Sequence, residues 1–259
     1  MMEHTDLDRV KKMAESFLDT DLEIKHDGGG TVVFHPFFDN EVVIERLPEA
    51  TDDPASMANY KFLLIAENPA DLERAKELQR KFIHESDSLT SLFLLIRKGY
   101  RFAFLDYVKD FLSRDDLSDV LQWIWKNGEN TSKQRDMSKA KLIKLFESCN
   151  PQILMGPEEY EAFLNFPDEL TIYRGIEYDE KGPKKAMIRA LSWTPELNTA
   201  IFFAKRFLMI KGRIGAVYKA KIKKADVLTY YAEGEPEILV KPQKLYDIEL
   251  VHEYRKDEE

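Results

Sequence analysis

Gly215-Ala216-Val217-Tyr218-Lys219-Ala220-Lys221-Ile222-Lys223 is the stretch whose reading decides the fold class. Val217, Lys219, Lys221 and Lys223 alternate with Ala216, Tyr218, Ala220 and Ile222. That period of two sends successive side chains to opposite faces of a strand. One face is basic and wet and the other is apolar, as in an antiparallel sheet covered on a single side.

Working outward, LTIYRG (170–175) reads as a strand ending in Arg174-Gly175, and RALSWTP (189–195) as a strand ending in Ser192-Trp193-Thr194. A helix follows. Thr194 is its expected N-cap, Pro195 takes the first helical position, and Ala200, Phe203, Ala204, Phe207 and Leu208 form one apolar stripe. Downstream, YAEGEPEILV (231–240) runs into a further strand and LYDIELVHEY (245–254) is the last. In YAEGEPEILV, Glu233, Glu235 and Glu237 occupy alternate positions. In a fully extended chain all three would share one side, each pair repelling by about half a kcal/mol in water at ~7 Å. Pro236 removes a backbone donor, so the strand lies at an edge or begins there, and Glu235 has the freedom of a loop residue. The stretch is either a solvated acidic turn or a set of working carboxylates.

The N-terminal half is different in character. Leu7, Val10, Met13, Ala14, Phe17 and Leu18 are spaced as one face of a helix over 6–19. LEIK, TVVFH and EVVIERL then predict a meander of three short antiparallel strands, with Gly28-Gly29-Gly30 as a hairpin turn; no helix and no Lys-Ser/Thr follows to make it a phosphate loop. KFLLIA (61–66) predicts a buried strand, and Asn68-Pro69 opens a charged helix to about Ile83. Helices are expected from Ser88 to Gly99, Phe102 to Leu112, Leu117 to Trp125, Lys139 to Glu147 and Pro157 to Leu164, with NGENTSKQRD (127–136) a loop. Leu121, Trp123, Ile124 and Trp125 read as core. The expected class is α+β: an N-terminal segment 1–85, then a domain 86–259 with helices over 86–166 and a mixed or antiparallel β-core over 167–255.

At 259 residues and 44% hydrophobic content the chain has material for a sizeable core. It contains no apolar run long enough to span a bilayer, and its acidic N-terminus does not resemble a signal peptide, so no membrane contact is expected. The lone Cys149 forms no internal disulfide, and no Cys/His spacing suggests a metal site, which together point to a cytoplasmic setting. The net charge is −9, yet twelve Lys and Arg lie between Lys181 and Lys224 against the single acidic Glu196. That block is either a set of solvated faces or a surface that attracts phosphates; nucleic-acid contact through it is the less favoured alternative.

Each polar feature of the C-terminal core has an ordinary structural explanation alone: an ion pair for Arg174, helix capping for Ser192-Trp193-Thr194, solvation for the Glu pair. As an ordered set, Tyr173-Arg174-Gly175, Ser192-Trp193-Thr194 with the helix segment AIFFAKRF, and Glu235-Pro236-Glu237-Ile238-Leu239-Val240 resemble the arginine–serine–glutamate class of mono-ADP-ribosyltransferases. That class includes clostridial binary toxins, vertebrate ecto-enzymes and bacteriophage enzymes, and the overall pattern is most similar to uncharacterised phage-encoded members. The resemblance covers roughly residues 168–255.

It implies an ADP-ribosyltransferase-type core, NAD as co-substrate and a protein acceptor. Glu237 would stabilise the developing ribosyl cation and Glu235 would orient an acceptor guanidinium, which tilts the acceptor toward arginine, with Glu233 as a competitor. Arg174 would grip a phosphate or ribose of NAD, with Gly175 and Trp193 among the residues lining its site. Ser192 would hold Glu237, Thr194 would support the nicotinamide pocket, and Phe202 or Phe203 would stack near nicotinamide. Tyr231 would be an aromatic that meets the target protein. Two alternatives use the same residues: an inactive nucleotide- or partner-binding module, and an NAD glycohydrolase.

Overall fold

The computed structural model describes residues 2–27, 30–51, 53, 55–128, 137–210 and 212–255. The chain packs as two compact units, 1–138 and 139–259. The boundary expected near residue 85 therefore falls inside the first unit, because helices 89–127 pack with the elements that precede them.

The first unit opens with α1 (Leu7–Leu18), capped by the Asp6 carboxylate and burying Val10, Ala14 and Leu18. Next come β1 (Glu23–Asp27), β2 (Gly30–Phe34), β3 (Val42–Arg46) and β4 (Tyr60–Leu64). They do not form the expected three-stranded meander: β1 pairs with β2 and β3 with β4, each as a separate antiparallel hairpin. Residues after β2 turn inward instead of continuing to a third strand, with Phe37 and Phe38 buried beside His35. Gly28 and Gly29 of the expected first turn lie outside the described residues. In the second hairpin the Asn59 side chain organises the connection, accepting from the Thr51 amide at 2.8 Å and donating to the Asp53 carbonyl at 2.6 Å. β4 is not the buried strand the sequence suggests. Leu63 and Ile65 are inside, whereas Phe62 and Leu64 are exposed, because only one face of the hairpin is covered.

Helix α2 (Pro69–Glu85) starts at the Asn68 cap with proline in its first turn. Its Arg74 binds the carboxylate of the buried Glu45 through Nη2 at 2.6 Å and Nε at 3.1 Å, holding that carboxyl below its ordinary pKa. Helices α3 (Leu89–Leu95), α4 (Arg101–Val108) and α5 (Arg114–Asn127) complete the unit. Leu121, Ile124 and Trp125 are core as expected, while Trp123 is only half-buried and lies against the Arg101 guanidinium. Most of the expected loop 127–136 lies outside the described residues.

His35 joins α1 to β2 with its ring fully buried. Nδ1 accepts from the Phe37 amide at 3.1 Å, which assigns the proton to Nε2, shared between the Leu18 and Thr20 carbonyls at 3.1 Å each. Adding a second proton would desolvate a charge and break the Phe37 bond. Burial is the main cause that lowers the His35 pKa from 6.5 to about 4. A histidine held neutral in the fold takes up more protons when unfolded, so its contribution is present above pH ~6.5 and is lost as pH falls through the folded pKa. In a proton NMR titration the His35 ring should move with a midpoint near 4; a midpoint at the ordinary histidine value would refute the buried, neutral assignment.

The second unit begins with α6 (Lys139–Ser148), α7 (Pro151–Met155) and α8 (Pro157–Leu164). It continues through β5 (Glu169–Tyr178), the single turn α9 (Lys185–Ile188), β6 (Ser192–Trp193), α10 (Leu197–Lys205), β7 (Ile214–Lys223), β8 (Val227–Tyr231), β9 (Glu237–Val240) and β10 (Tyr246–Tyr254). All pairings are antiparallel, in two three-stranded sheets ordered β10-β7-β5 and β6-β9-β8. A bridge between Tyr173 and Thr194 links them. Their facing sides bury one apolar cluster, in which Leu170, Ile172, Ala220 and Ile222 meet Trp193, Ile238 and Val240. The unit is thus α+β, with small antiparallel sheets. β7 alternates as its sequence suggests, but its basic face is open only over Lys219–Lys223, since Val217 on the same face is buried; the outward lysines pair with acids, Lys219 with Glu249 and Lys221 with Glu169, both at 2.9 Å. β10, at one edge, is interrupted by two register shifts and by Asp247 at φ 48°.

Helix α10 covers the outer face of β5 and β7 at unusually close range. A β-carbon on Gly175 would stand 2.0 Å from the Ala200 carbonyl oxygen, and one on Gly215 would stand 2.0 Å from that of Ala204. On the helix side Ala200 and Ala204 are completely buried beside Val217, with the half-buried Ile201 packed against them. Phe207, expected on the same stripe, is 47% exposed because the helix ends at Lys205. The cap also differs from expectation. Glu196 is the N-cap residue, and the Thr194 hydroxyl accepts from its amide at 3.1 Å, one turn-forming step earlier. Gly175→Ala and Gly215→Ala should each destabilise the protein by about 3 kcal/mol or more, since the clash is with backbone that cannot rotate away. Urea denaturation checks this; a loss under ~0.5 kcal/mol would mean that the helix does not rest on these glycines.

Candidate functional site

The site is built around β6, which pairs with β9 in one sheet and is joined to β5 of the other by the Tyr173–Thr194 bridge. β5 does not end at Arg174 as expected. It continues to Tyr178, paired with β7 throughout, so Arg174 sits mid-strand opposite Tyr218. On the inner face of β5 the sequence reads Leu170, Ile172, Arg174, Ile176, Tyr178, and Arg174 is the one ionisable break between two apolar clusters. Tyr218 fills the same gap from β7, its pKa raised mainly by burial. The Arg174 guanidinium is led back to main chain: Nε donates to the Met187 carbonyl at 2.8 Å, and Nη1 donates to the carbonyl of Ser192. This forked donor ties β5 to both α9 and β6.

β6 is held on its other side by β9, with Ser192 opposite Leu239 and Trp193 opposite Ile238. Leu191 extends the pairing by accepting from the Val240 amide at 2.9 Å. Thr194 exchanges both backbone bonds with Tyr173, at 2.7 and 2.9 Å. Ile238 and Val240 point into the core, so by the two-residue period Glu237 leaves β9 on the opposite face, with Leu239 and Ser192. Arg174 leaves β5 on the core side and reaches this constellation through the Ser192 main chain. Trp193, expected to line a ligand site, is instead a core residue, 2% exposed, with its indole N–H donating to the Ala190 carbonyl at 3.1 Å. Gly175 contributes its missing side chain to the packing of α10, and Phe203 is half-buried, its ring edge-on to that of Phe202 at 5.5 Å.

The acidic stretch resolves into two environments. Glu237 is the first residue of β9 and half-buried, whereas Glu233 and Glu235 lie exposed in the turn that Gly234 makes at φ 76°. The carboxylates do not share one face, and the repulsion of a fully extended chain is avoided. Tyr231, expected to face a target protein, is the last residue of β8 and 3% exposed, directly opposite Glu237. Burial first, and then the negative field of Glu237 and Glu159, push its phenol far above the ordinary tyrosine range, so it stands beside Glu237 as a neutral hydroxyl. Glu159 of α8 steadies the turn by accepting from the Ala232 amide at 2.8 Å. Its part was not legible in the sequence, since a carboxylate that binds a distant main-chain amide leaves no motif.

Much of the basic block is occupied within the fold. Besides Lys219 and Lys221, Lys224 donates to the Leu164 and Phe166 carbonyls, and Arg189 donates to that of Pro242 at 2.9 Å. Among the described residues no group of three His, Cys, Asp or Glu side chains is placed to hold a metal ion, and no helix is long and apolar enough to cross a membrane. A cavity of about 760 Å³ lies wholly within the first unit, lined by residues between Val32 and Arg101. No protein-family model, curated protein or solved structure matches the chain.

Arg174→Lys keeps the charge but removes the fork, leaving a partly buried carbonyl of Met187 or Ser192 without its donor. It should cost about 1–3 kcal/mol of stability, seen as a lower midpoint in thermal denaturation. An unchanged midpoint would mean that this guanidinium does not brace the strands.

Proposed function

We propose that the second unit is an NAD-dependent mono-ADP-ribosyltransferase acting on a protein side chain, with arginine as the acceptor. The observation that carries this reading is the adjacency of β5, β6 and β9, which gathers Arg174, Ser192-Trp193-Thr194 and Glu237 from well-separated parts of the chain onto three neighbouring strands. Their order from β5 through β6 to β9 is that of the ordered set by which the sequence resembles this enzyme class.

In the proposed reaction the bond from ribose C1′ to the nicotinamide nitrogen breaks, and nicotinamide leaves with the bonding pair. A guanidinium nitrogen of the acceptor forms the new bond to C1′ and gives up one proton. Glu237 supplies the negative charge that the developing ribosyl cation needs, and its fixed place at the head of β9 limits reorganisation when that charge appears. Tyr231, held protonated beside it, offers an O–H and not a second negative charge. Ser192 and Thr194 share the Glu237 side of the sheet, and Arg174 fixes the Ser192 main chain, so it acts as a positioning residue. Glu235 is exposed on the turn, where an incoming acceptor is met, and takes the guanidinium proton.

The test is nicotinamide release measured beside transfer of labelled ADP-ribose to an arginine-rich protein. Glu237→Gln should lose both by a hundredfold or more, because shape is kept while the charge facing the cation is removed. Glu235→Gln should lose transfer and keep slow nicotinamide release, and Glu233→Gln should lose neither. If all three variants behave as the native chain, or if the native chain releases no nicotinamide in the presence of acceptor, the proposal fails. Free ADP-ribose without labelled protein would replace it with glycohydrolysis.

A further inference from the structure

The cavity on the first unit is a groove between β2 and the turn that joins α3 to α4. Val32 and Phe34 line one wall and Leu94 and Ile96 the other. Three of these four are exposed, Leu94 by 58%, and they gather on one groove instead of being scattered singly over the surface, the arrangement that marks a binding site. The charge is lopsided: Arg97, Lys98 and Arg101 stand against the single acid Asp39.

Arg101 gives the groove its chemistry. Its side chain is only 7% exposed, yet its partners are neutral: Nε donates to the Phe93 and Ile96 carbonyls at 3.1 and 2.9 Å, and the guanidinium lies 4.5 Å from the centre of the Trp123 ring. Among the described residues no carboxylate faces it and neither Nη nitrogen has a protein acceptor. A buried cation with no anion is costly, and proteins satisfy it with a counter-charge. Arg97 is differently placed, since its Nη1 is already taken by the Val33 and Phe38 carbonyls at 2.9 and 2.8 Å.

We propose that this groove binds a small amphiphilic anion, its apolar body along Val32, Phe34 and Leu94 and its carboxylate or phosphate head on the free fork of Arg101. A carboxylate or phosphate fits the two parallel N–H donors of such a fork, and a thin aliphatic or aryl body fits walls this apolar. Trp123, stacked on the same guanidinium, reports occupancy through its fluorescence.

The experiment titrates the full chain with decanoate and with decyl phosphate, below their micelle concentrations, by calorimetry and tryptophan fluorescence, with decanol and inorganic phosphate as controls. At least one of the two amphiphiles should bind saturably, with decanol and inorganic phosphate each tenfold weaker or more. Arg101→Gln should weaken binding by tenfold or more. Because Arg101 also caps α3, Leu94→Asp serves as the second variant: the position is exposed, the fold should be retained, and a carboxylate on the wall should repel the ligand to a similar degree. Absence of saturable binding by both amphiphiles, decanol binding as tightly as decanoate, or native affinity in Leu94→Asp would each overturn the proposal.

Discussion

The closeness of α10 to the sheet is the constraint on which the second unit depends. Backbone meets backbone there, with a missing side chain at Gly175 and another at Gly215 making room for the Ala200 and Ala204 turns. Because the helix is drawn in this far, the chain leaving β6 must enter it through a tight corner, which Thr194 secures by bonding the Glu196 amide and by pairing with Tyr173. That pairing is also the seam between the two sheets. Packing and site are therefore one arrangement: the residue that seats the helix neighbours the arginine that braces Ser192.

The C-terminal core was legible in the sequence for a physical reason. β7 alternates lysine with apolar residues over Ala220–Lys223, which a strand wet on one side satisfies, whereas the helix that covers Gly215 and Val217 on the same side is not announced by that alternation. The Glu pair was legible too, because Pro236 and Gly234 forbid a continuous strand and leave Glu237 alone at the head of β9. What escaped depended on partners far along the chain. Nothing near Arg174 announces the carbonyl of Met187, nothing near Ala232 announces Glu159, and the inward turn of Tyr231 follows from a register set by β9. In the first unit the pairing of β2 with β3 that a meander needs does not form, and β3 pairs with β4 instead. Pairing there is decided by where Phe37, Phe38 and His35 bury themselves, not by the alternation within each strand.

Both units use buried polar groups as joints, in different ways. His35, Asn59 and Arg101 meet backbone carbonyls and amides, fixing irregular connections that apolar contacts alone would leave loose. Glu45 has a formal counter-charge in Arg74, whereas Arg101 has a ring and two carbonyls. This contrast separates a joint that is electrically complete from one that still lacks a counter-charge. In the second unit the equivalent group is Arg174, whose fork serves the main chain of two neighbouring elements.

The irregular course of β10 has a consequence for the molecule's dealings with its own copies. An outer strand normally offers a continuous row of amides and carbonyls, a template on which another chain can add a strand. Here the row is broken between Tyr246 and Glu249 and again between Leu250 and His252, with Asp247 turned into the left-handed region. Lys219 and Lys221 pair with Glu249 and Asp247 across the seam between β7 and β10, so the strand that forms this border is also charged on its face. The sheet thus ends in an interrupted, charged border, and end-to-end growth from copy to copy finds no register there to extend.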